Sequence, residues 1–166
     1  MPLRKSTSRK AKAGEELRAN ALDLDPAEKG WEPTPELPRV FGGVIDLTLP
    51  MGAATLVGFA DGSTSLYTSA AGVIGGADES VARVTRAFLL GLEAHLDEMG
   101  RDAGTDPPAV EMAVIHALTY DGRRSVVAPE DDLGYGRHPL SEVFHLAQRV
   151  VTELRRVDDQ QRGSRG

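Results

Sequence analysis

Two Asp-Gly pairs, each set between segments of alternating apolar residues, constrain the fold of this chain more than any other feature. The pairs and their flanking segments are Asp61-Gly62 between 55–60 and 63–68, and Asp121-Gly122 between 110–120 and 123–128. Asp-Gly favours a β-hairpin, because a type I′ turn needs positive φ at both central positions. We therefore predict two antiparallel hairpins with turns of this type.

Each hairpin is followed by an amphipathic helical pattern. Apolar residues recur at steps of three and four over 78–99 and again over 139–157, which indicates two helices with one buried face each. A further alternating segment, 41–49, precedes the first hairpin, and 110–120 lacks polar alternation, so we expect it to be a central strand. The sequence predicts an α+β domain: a five-stranded, mainly antiparallel sheet in the order β-β-β-α-β-β-α, with the helices packed on it.

Composition divides the 166 residues into one domain and two tails. Residues 1–12 hold five cations and no acid, which predicts disorder. Segment 15–24 carries a weak short-helix pattern, and 26–38 contains four prolines around Trp31, which indicates an extended linker. We therefore predict a disordered basic tail and Pro-rich linker over 1–38, a single domain over 39–157, and a disordered polar tail over 158–166.

Charge and composition exclude several classes of function. The absence of cysteine excludes disulfides, thiolate metal sites and cysteine catalysis. Residues 40–157 hold 16 acids against nine arginines, and aromatic residues make up only 5% of the chain, so we expect no nucleic-acid binding beyond weak, salt-sensitive contact through the basic tail. No apolar run is long enough to cross a membrane and no secretory signal is visible, so we expect no membrane insertion and a cytoplasmic location. Abundant glycine, alanine and arginine indicate a GC-rich bacterial source.

A glycine-rich segment before the first long helix is the strongest candidate for a ligand site. Glycines allow a phosphate or other anion to approach the backbone, and helix N-termini attract anions. The candidate ligand-binding residues are Gly72, Gly75 and Gly76 of this segment, together with His116 and Arg124. The segment matches no known phosphate-loop motif, and Asp78 and Glu79 would repel an anion, so a tight strand-to-helix connection is the alternative.

The other candidate groups have structural explanations. His116 lies on an apolar strand face, so we interpret it as a half-buried packing residue rather than a general base. Glu142 and His145 have the spacing of one di-iron helix motif, but a site of that kind needs two. The acids 130–132 lack the pattern of a calcium loop and indicate a solvated loop. We predict no catalytic residue, no metal site and no cofactor.

The run 54–67 followed by 72–76, with the residues ATLVGFADGSTSLY and GVIGG, resembles small bacterial proteins of uncharacterised function that share this hairpin and glycine loop. The order of elements is also similar to that of type III secretion chaperones, which are small, acidic, dimeric and non-enzymatic and bind extended segments of clients. Roadblock and profilin-like modules, which pack helices on an antiparallel five-stranded sheet, offer a second similarity of this kind.

These patterns favour a non-enzymatic protein-binding, scaffold or chaperone-like module. Its polar residues follow the fold pattern, whereas active sites usually break it. We expect a homodimer and a protein partner reached through a sheet edge or a helix face. The alternative is a small-ligand-binding or enzymatic domain that uses Gly72–Gly76 at a helix N-terminus. A weaker third hypothesis is that the basic tail anchors the chain to nucleic acid or to an anionic surface.

Overall fold

A computed structural model describes residues 2–49, 52–69, 72–101 and 104–164, with the side chains of 2–11 and 164 left aside. The helices are α1 (Pro2–Leu22), α2 (Glu79–Ala94), α3 (Glu130–Gly134) and α4 (Ser141–Ser164). The strands are β1 (Val40–Leu49), β2 (Gly52–Phe59), β3 (Thr64–Thr68), β4 (Gly72–Gly76), β5 (Gly100–Arg101), β6 (Met112–Thr119) and β7 (Gly122–Pro129). The class is α+β, as predicted.

The strands form one antiparallel sheet in the order β4-β3-β2-β1-β6-β7-β5. β1 and β6 lie inside this sheet, and nearly all their residues are buried. Both faces of these strands are therefore covered, which explains why the β6 sequence lacks polar alternation. The prediction of a central strand there is confirmed.

Two apolar clusters lie on opposite faces of the sheet. The larger joins α2 and α4 to the sheet, with Phe88, Leu92 and Leu154 among its fully buried or nearly buried members. α2 and α4 approach closely at Gly91, where an added Cβ would meet Leu146 at 2.7 Å. The smaller cluster joins the end of α1 to the other face of the sheet, so the domain has three layers.

The prediction of five strands is wrong, because the sheet has seven. Segment 72–76, predicted as a loop, is strand β4, which pairs with β3 from Thr68↔Gly72 to Thr64↔Gly76. The glycines of this segment are compatible with a loop and with a strand, so the sequence does not decide between the two. Ile74 stabilises the strand, because its side chain packs against the larger cluster. The second added strand, β5, has only two residues and pairs with β7. The order of elements that resembles type III secretion chaperones therefore differs from the observed order.

The N-terminal segment differs from the predicted tail and linker. α1 begins at Pro2 rather than near residue 15, and its C-terminal end buries Ala21 and Leu22. Within the predicted linker, Trp31 packs against Phe59 with ring centroids 5.3 Å apart, and Leu37 is buried. The physical reason is the second apolar face of the sheet, because that face exposes a large apolar area unless this segment covers it.

Other boundaries also differ from the predicted ones. α4 continues to Ser164, where a polar tail was predicted from 158. The acidic residues from 130 form the short helix α3 instead of a loop. Both Asp-Gly pairs do form hairpins, but the turns are not type I′: Gly62 and Gly122 have φ of 89° and 117°, whereas Glu111 is the one non-glycine among the described residues with positive φ.

Candidate functional site

The residues predicted to bind a ligand do not converge in the structure. Gly72, Gly75 and Gly76 lie on the edge strand β4, whereas His116 lies on β6. β3, β2 and β1 separate these two strands, which places them about 19 Å apart at ~4.8 Å per strand. Arg124 lies one strand further, on β7. A ligand held by the glycines cannot also contact His116 or Arg124 within hydrogen-bond distance.

His116 and Arg124 also lie on opposite faces of the sheet. His116 pairs with Ser125 across the β6–β7 ladder, so Arg124, the next residue, points to the other face. His116 is fully buried rather than half-buried, because α1 and the segments around it cover this face. The guanidinium of Arg124 donates a hydrogen bond to the carbonyl of Leu96 at 3.1 Å, at the end of α2. His116 is thus enclosed in the interior of the protein, and Arg124 is bonded to the main chain after α2.

The two edges of the sheet differ in how they are protected. Among the described strands, β4 is the outermost on its side, and its five residues carry no proline, no charge and no bulge. Val73 on this strand is 46% exposed. The other edge ends in β5, which contributes Arg101 beside Arg124 of β7. Charged residues discourage pairing with another strand, so β4 is the edge open to a further strand.

Helices flank the open edge on both faces. α1 contacts β4 on one face of the sheet. On the other face, a groove of about 180 Å³ runs between Ile74 and the charged C-terminal part of α4, which contributes Arg155, Asp158 and Arg162. An added strand would therefore contact the main chain of β4 and side chains of two helices.

A buried ion pair fixes α1 to the sheet. Arg18 of α1 donates from Nε to both carboxylate oxygens of Asp46 in β1, at 2.9 and 3.1 Å. The two side chains are only 12% and 6% exposed. The hydroxyl of Thr55 in β2 donates to the same carboxylate at 2.8 Å, and the guanidinium of Arg18 also donates to the carbonyls of Thr105 and Asp106. The Arg18–Asp46 pair thus connects a helix, two strands and a loop.

Beside this ion pair lies a cavity of about 510 Å³, between α1, the ends of β1 and β2, and the loop that precedes β6. Apolar groups form most of its wall, and Tyr67, Pro108 and Met112 are among them. The carboxylates of Asp46 and Glu15 and the guanidinium of Arg18 supply its charged groups. A cavity of this volume is within the range of small-molecule sites.

The sequence does not predict this cavity, because Gly14, Glu15 and Arg18, which form one side of it, fall within the predicted tail and linker over 1–38. One signal was present: Asp46 is the single charged residue in the ten-residue strand VFGGVIDLTL. A carboxylate in a strand with apolar residues on both sides needs a cation, because an unpaired buried charge is strongly unfavourable. Arg18 lies on the helical pattern that includes Leu17 and Ala21, and was the available partner.

A histidine connects the end of α2 to the start of α4. His95 lies 3.2 Å from Glu98 through Nδ1 and 3.2 Å from Glu142 through Nε2. Burial lowers the pKa of His95, but the hydrogen bonds to Glu142 and Glu98 outweigh it and raise the pKa above its ordinary value. Across the part of the chain that the structure describes, no three His, Cys, Asp or Glu residues are grouped so as to hold a metal ion.

Among the described helices, none combines the length and the apolar content needed to cross a membrane.

Comparison with known proteins identifies no relative of this chain. Searches against protein-family models, curated proteins and solved structures gave no match to this chain.

Proposed function

We propose that this chain is a non-enzymatic protein-binding module that receives an extended segment of a partner protein as an additional strand beside β4. The observation that carries the proposal is the contrast between the sheet edges: β5 contains Arg101, which pairs with Arg124 of β7, whereas β4 has no charge, proline or bulge. Strand addition uses main-chain hydrogen bonds for affinity and side-chain contacts for selectivity.

The composition of β4 suits this role. Its three glycines place no side chain in the way of an incoming strand, and Val73 and Ile74 supply apolar contacts on opposite faces. Five residues can form only a few hydrogen bonds, each of which contributes about 0.5–1.5 kcal/mol net. The partner segment therefore also needs contacts with α1 and with α4.

Charge favours an acidic partner segment. α1 runs from the smaller cluster at its C-terminal end, past Tyr67 of β3 at Gly14, towards β4. Residues 2–12, the first half of this helix, hold five cations and no acid. Positive charge beside an open strand steers an acidic segment towards it. The same attraction makes the predicted interaction sensitive to salt.

We further propose that the chain forms a homodimer through the same edge when no partner is bound. Two β4 strands can pair antiparallel about a two-fold axis, which makes the edge complementary to itself. Partner binding and self-association would then compete for one site.

Replacing Val73 with a charged residue tests both proposals, and lysine is used for the dimer. An edge lysine should prevent strand addition, because its charge would have to be desolvated beside the incoming strand. The matched control is Val127→Lys on β7, since the two valines are 46% and 47% exposed and point to the same face of the sheet. Sedimentation velocity should show a concentration-dependent dimer for the wild type and for Val127→Lys, and a monomer for Val73→Lys.

The partner segment is tested with displayed random peptides, selected on the wild-type chain and counter-selected on Val73→Glu, whose carboxylate repels an acidic segment. We expect acidic peptides that bind Val73→Glu at least about tenfold more weakly than the wild type and protect 72–76 from hydrogen exchange. Peptides that bind both proteins equally, or that protect another segment, would refute the proposed function.

A further inference from the structure

The cavity beside the Arg18–Asp46 ion pair has the features of a ligand site. Its volume of about 510 Å³ exceeds what a few water molecules need, and most of its wall is apolar. Three of its polar side chains, Arg18, Asp46 and Thr55, are joined by hydrogen bonds on the side formed by α1, β1 and β2. This combination of an apolar wall with a few grouped polar atoms is typical of sites for small organic molecules.

The charged groups on the cavity wall determine which kind of small organic molecule the cavity favours. The positive charge of Arg18 is balanced by Asp46 and by the two loop carbonyls that accept its hydrogen bonds. A carboxylate can accept about four hydrogen bonds, so Asp46 retains capacity beyond Arg18 and Thr55. Glu15 adds a second, exposed carboxylate at the same wall. The wall therefore carries a net negative charge, which disfavours an anion.

The apolar part of the wall completes the selection. Tyr67 lines the cavity, and its ring is held by α1, which approaches so closely that a Cβ on Gly14 would overlap the ring. An aromatic ring attracts a cation as well as an apolar group. Pro107 and Pro108 stiffen the opposite side, and Glu111, next to the cavity residues Val110 and Met112, has a φ of 67° that side chains rarely adopt. Such backbone strain clusters at active sites, ligand sites and switch regions.

We propose that this cavity binds an apolar organic amine, with the ammonium group near Asp46 and Glu15 and the apolar body against Tyr67 and the proline-containing loop. The apolar wall provides contact area, and the carboxylates provide the preference for a cation over a neutral or anionic molecule of the same shape.

Three probes of similar size but different charge test this proposal: 2-phenylethylamine, 2-phenylethanol and phenylacetate. Titration calorimetry or chemical-shift perturbation with the full chain at neutral pH should show the amine binding most tightly and phenylacetate least tightly, with a difference of about tenfold or more between them. Phenylacetate binding as tightly as the amine, or no saturable binding of the amine, would overturn the proposal.

Two substitutions link binding to the cavity. Ala53 is an exposed wall residue, so Ala53→Trp should fill the cavity and remove binding of the amine. The control is Leu90→Trp, at an exposed position of α2 on the other face of the sheet, which should leave binding unchanged. Glu15→Gln should weaken binding of the amine several-fold and leave binding of 2-phenylethanol unchanged, because the substitution removes only a charge. An amine that binds Ala53→Trp with wild-type affinity would show that it occupies another site.

Discussion

At the scale of single residues, charged side chains connect elements that are distant in the sequence. Arg39, just before β1, donates from Nε to the carboxylate of Glu93 in α2 at 2.7 Å. The same carboxylate accepts hydrogen bonds from the backbone N–H groups of Arg39 and Val40 at 3.1 and 2.9 Å. These bonds fix the start of β1 to α2, and Arg39, whose pKa is raised by the hydrogen bonds to Glu93 and Asp97, remains cationic at all ordinary pH values.

His95 makes a connection of the same kind that depends on pH. Its pKa is raised in the folded chain, so the protonated ring stabilises the fold below the unfolded pKa of about 6.5, and this contribution is lost as pH rises through the folded pKa. We expect His95→Gln to lower the free energy of unfolding by up to about 1 kcal/mol near pH 5.5 and by much less near pH 8.5. Denaturant unfolding over this pH range measures the difference.

The control for this prediction removes the partners instead of the ring. In a chain with Glu98→Gln and Glu142→Gln, replacing His95 should no longer cost more at the lower pH, because no carboxylate then favours the protonated ring and burial disfavours it. A difference between wild type and His95→Gln that stays constant, or grows, as pH rises would contradict the assignment.

At the scale of helices and strands, the sequence predicts those elements whose pattern is local. The hairpin strands and the apolar stripe that includes Phe88 and Leu92 were found because spacing alone reveals them. β4 was missed because its glycines carry no periodicity, and its pairing with β3 comes from contacts across the sheet. α1 was predicted only over 15–24, because its helical extent and its place on the sheet depend on covering Val44 and Val57. The cavity was missed for the same reason.

The packing of α1 on the sheet depends on Gly14. An added Cβ there would overlap the ring of Tyr67, so Gly14→Leu should force the helix away from β3. We expect it to lower the free energy of unfolding by about 1–3 kcal/mol and to change the fluorescence of Trp31, which packs in the smaller cluster. The control is Ala13→Leu, at an exposed position on the same helix. Equal unfolding free energies for the two variants would show that α1 does not pack in this way.

At the scale of the whole molecule, the N-terminal segment is a third layer of the fold. Composition predicts a domain that begins near residue 39, because residues 1–38 are rich in cations and prolines. In the structure, the end of α1 and Trp31 cover the face that includes Phe41, Val44 and Leu118. Strands that read as apolar on both faces need a cover on both faces, so the buried patterns of β1 and β6 already imply a layer that the composition conceals.

Deletions test whether residues 1–38 are a layer of the fold or a tail. A chain without residues 1–38 should expose the second face of the sheet, bind the dye 8-anilinonaphthalene-1-sulfonate and lose most of its stability, since several apolar side chains return to water at about 1.5–3 kcal/mol each. A chain without residues 1–12 keeps Gly14, Arg18 and Leu22 and should unfold close to the wild type. Thermal unfolding and dye binding compare the three chains. If the chain without residues 1–38 keeps wild-type stability, the segment is a tail. If that chain loses its stability, the domain is a three-layer unit that begins within α1.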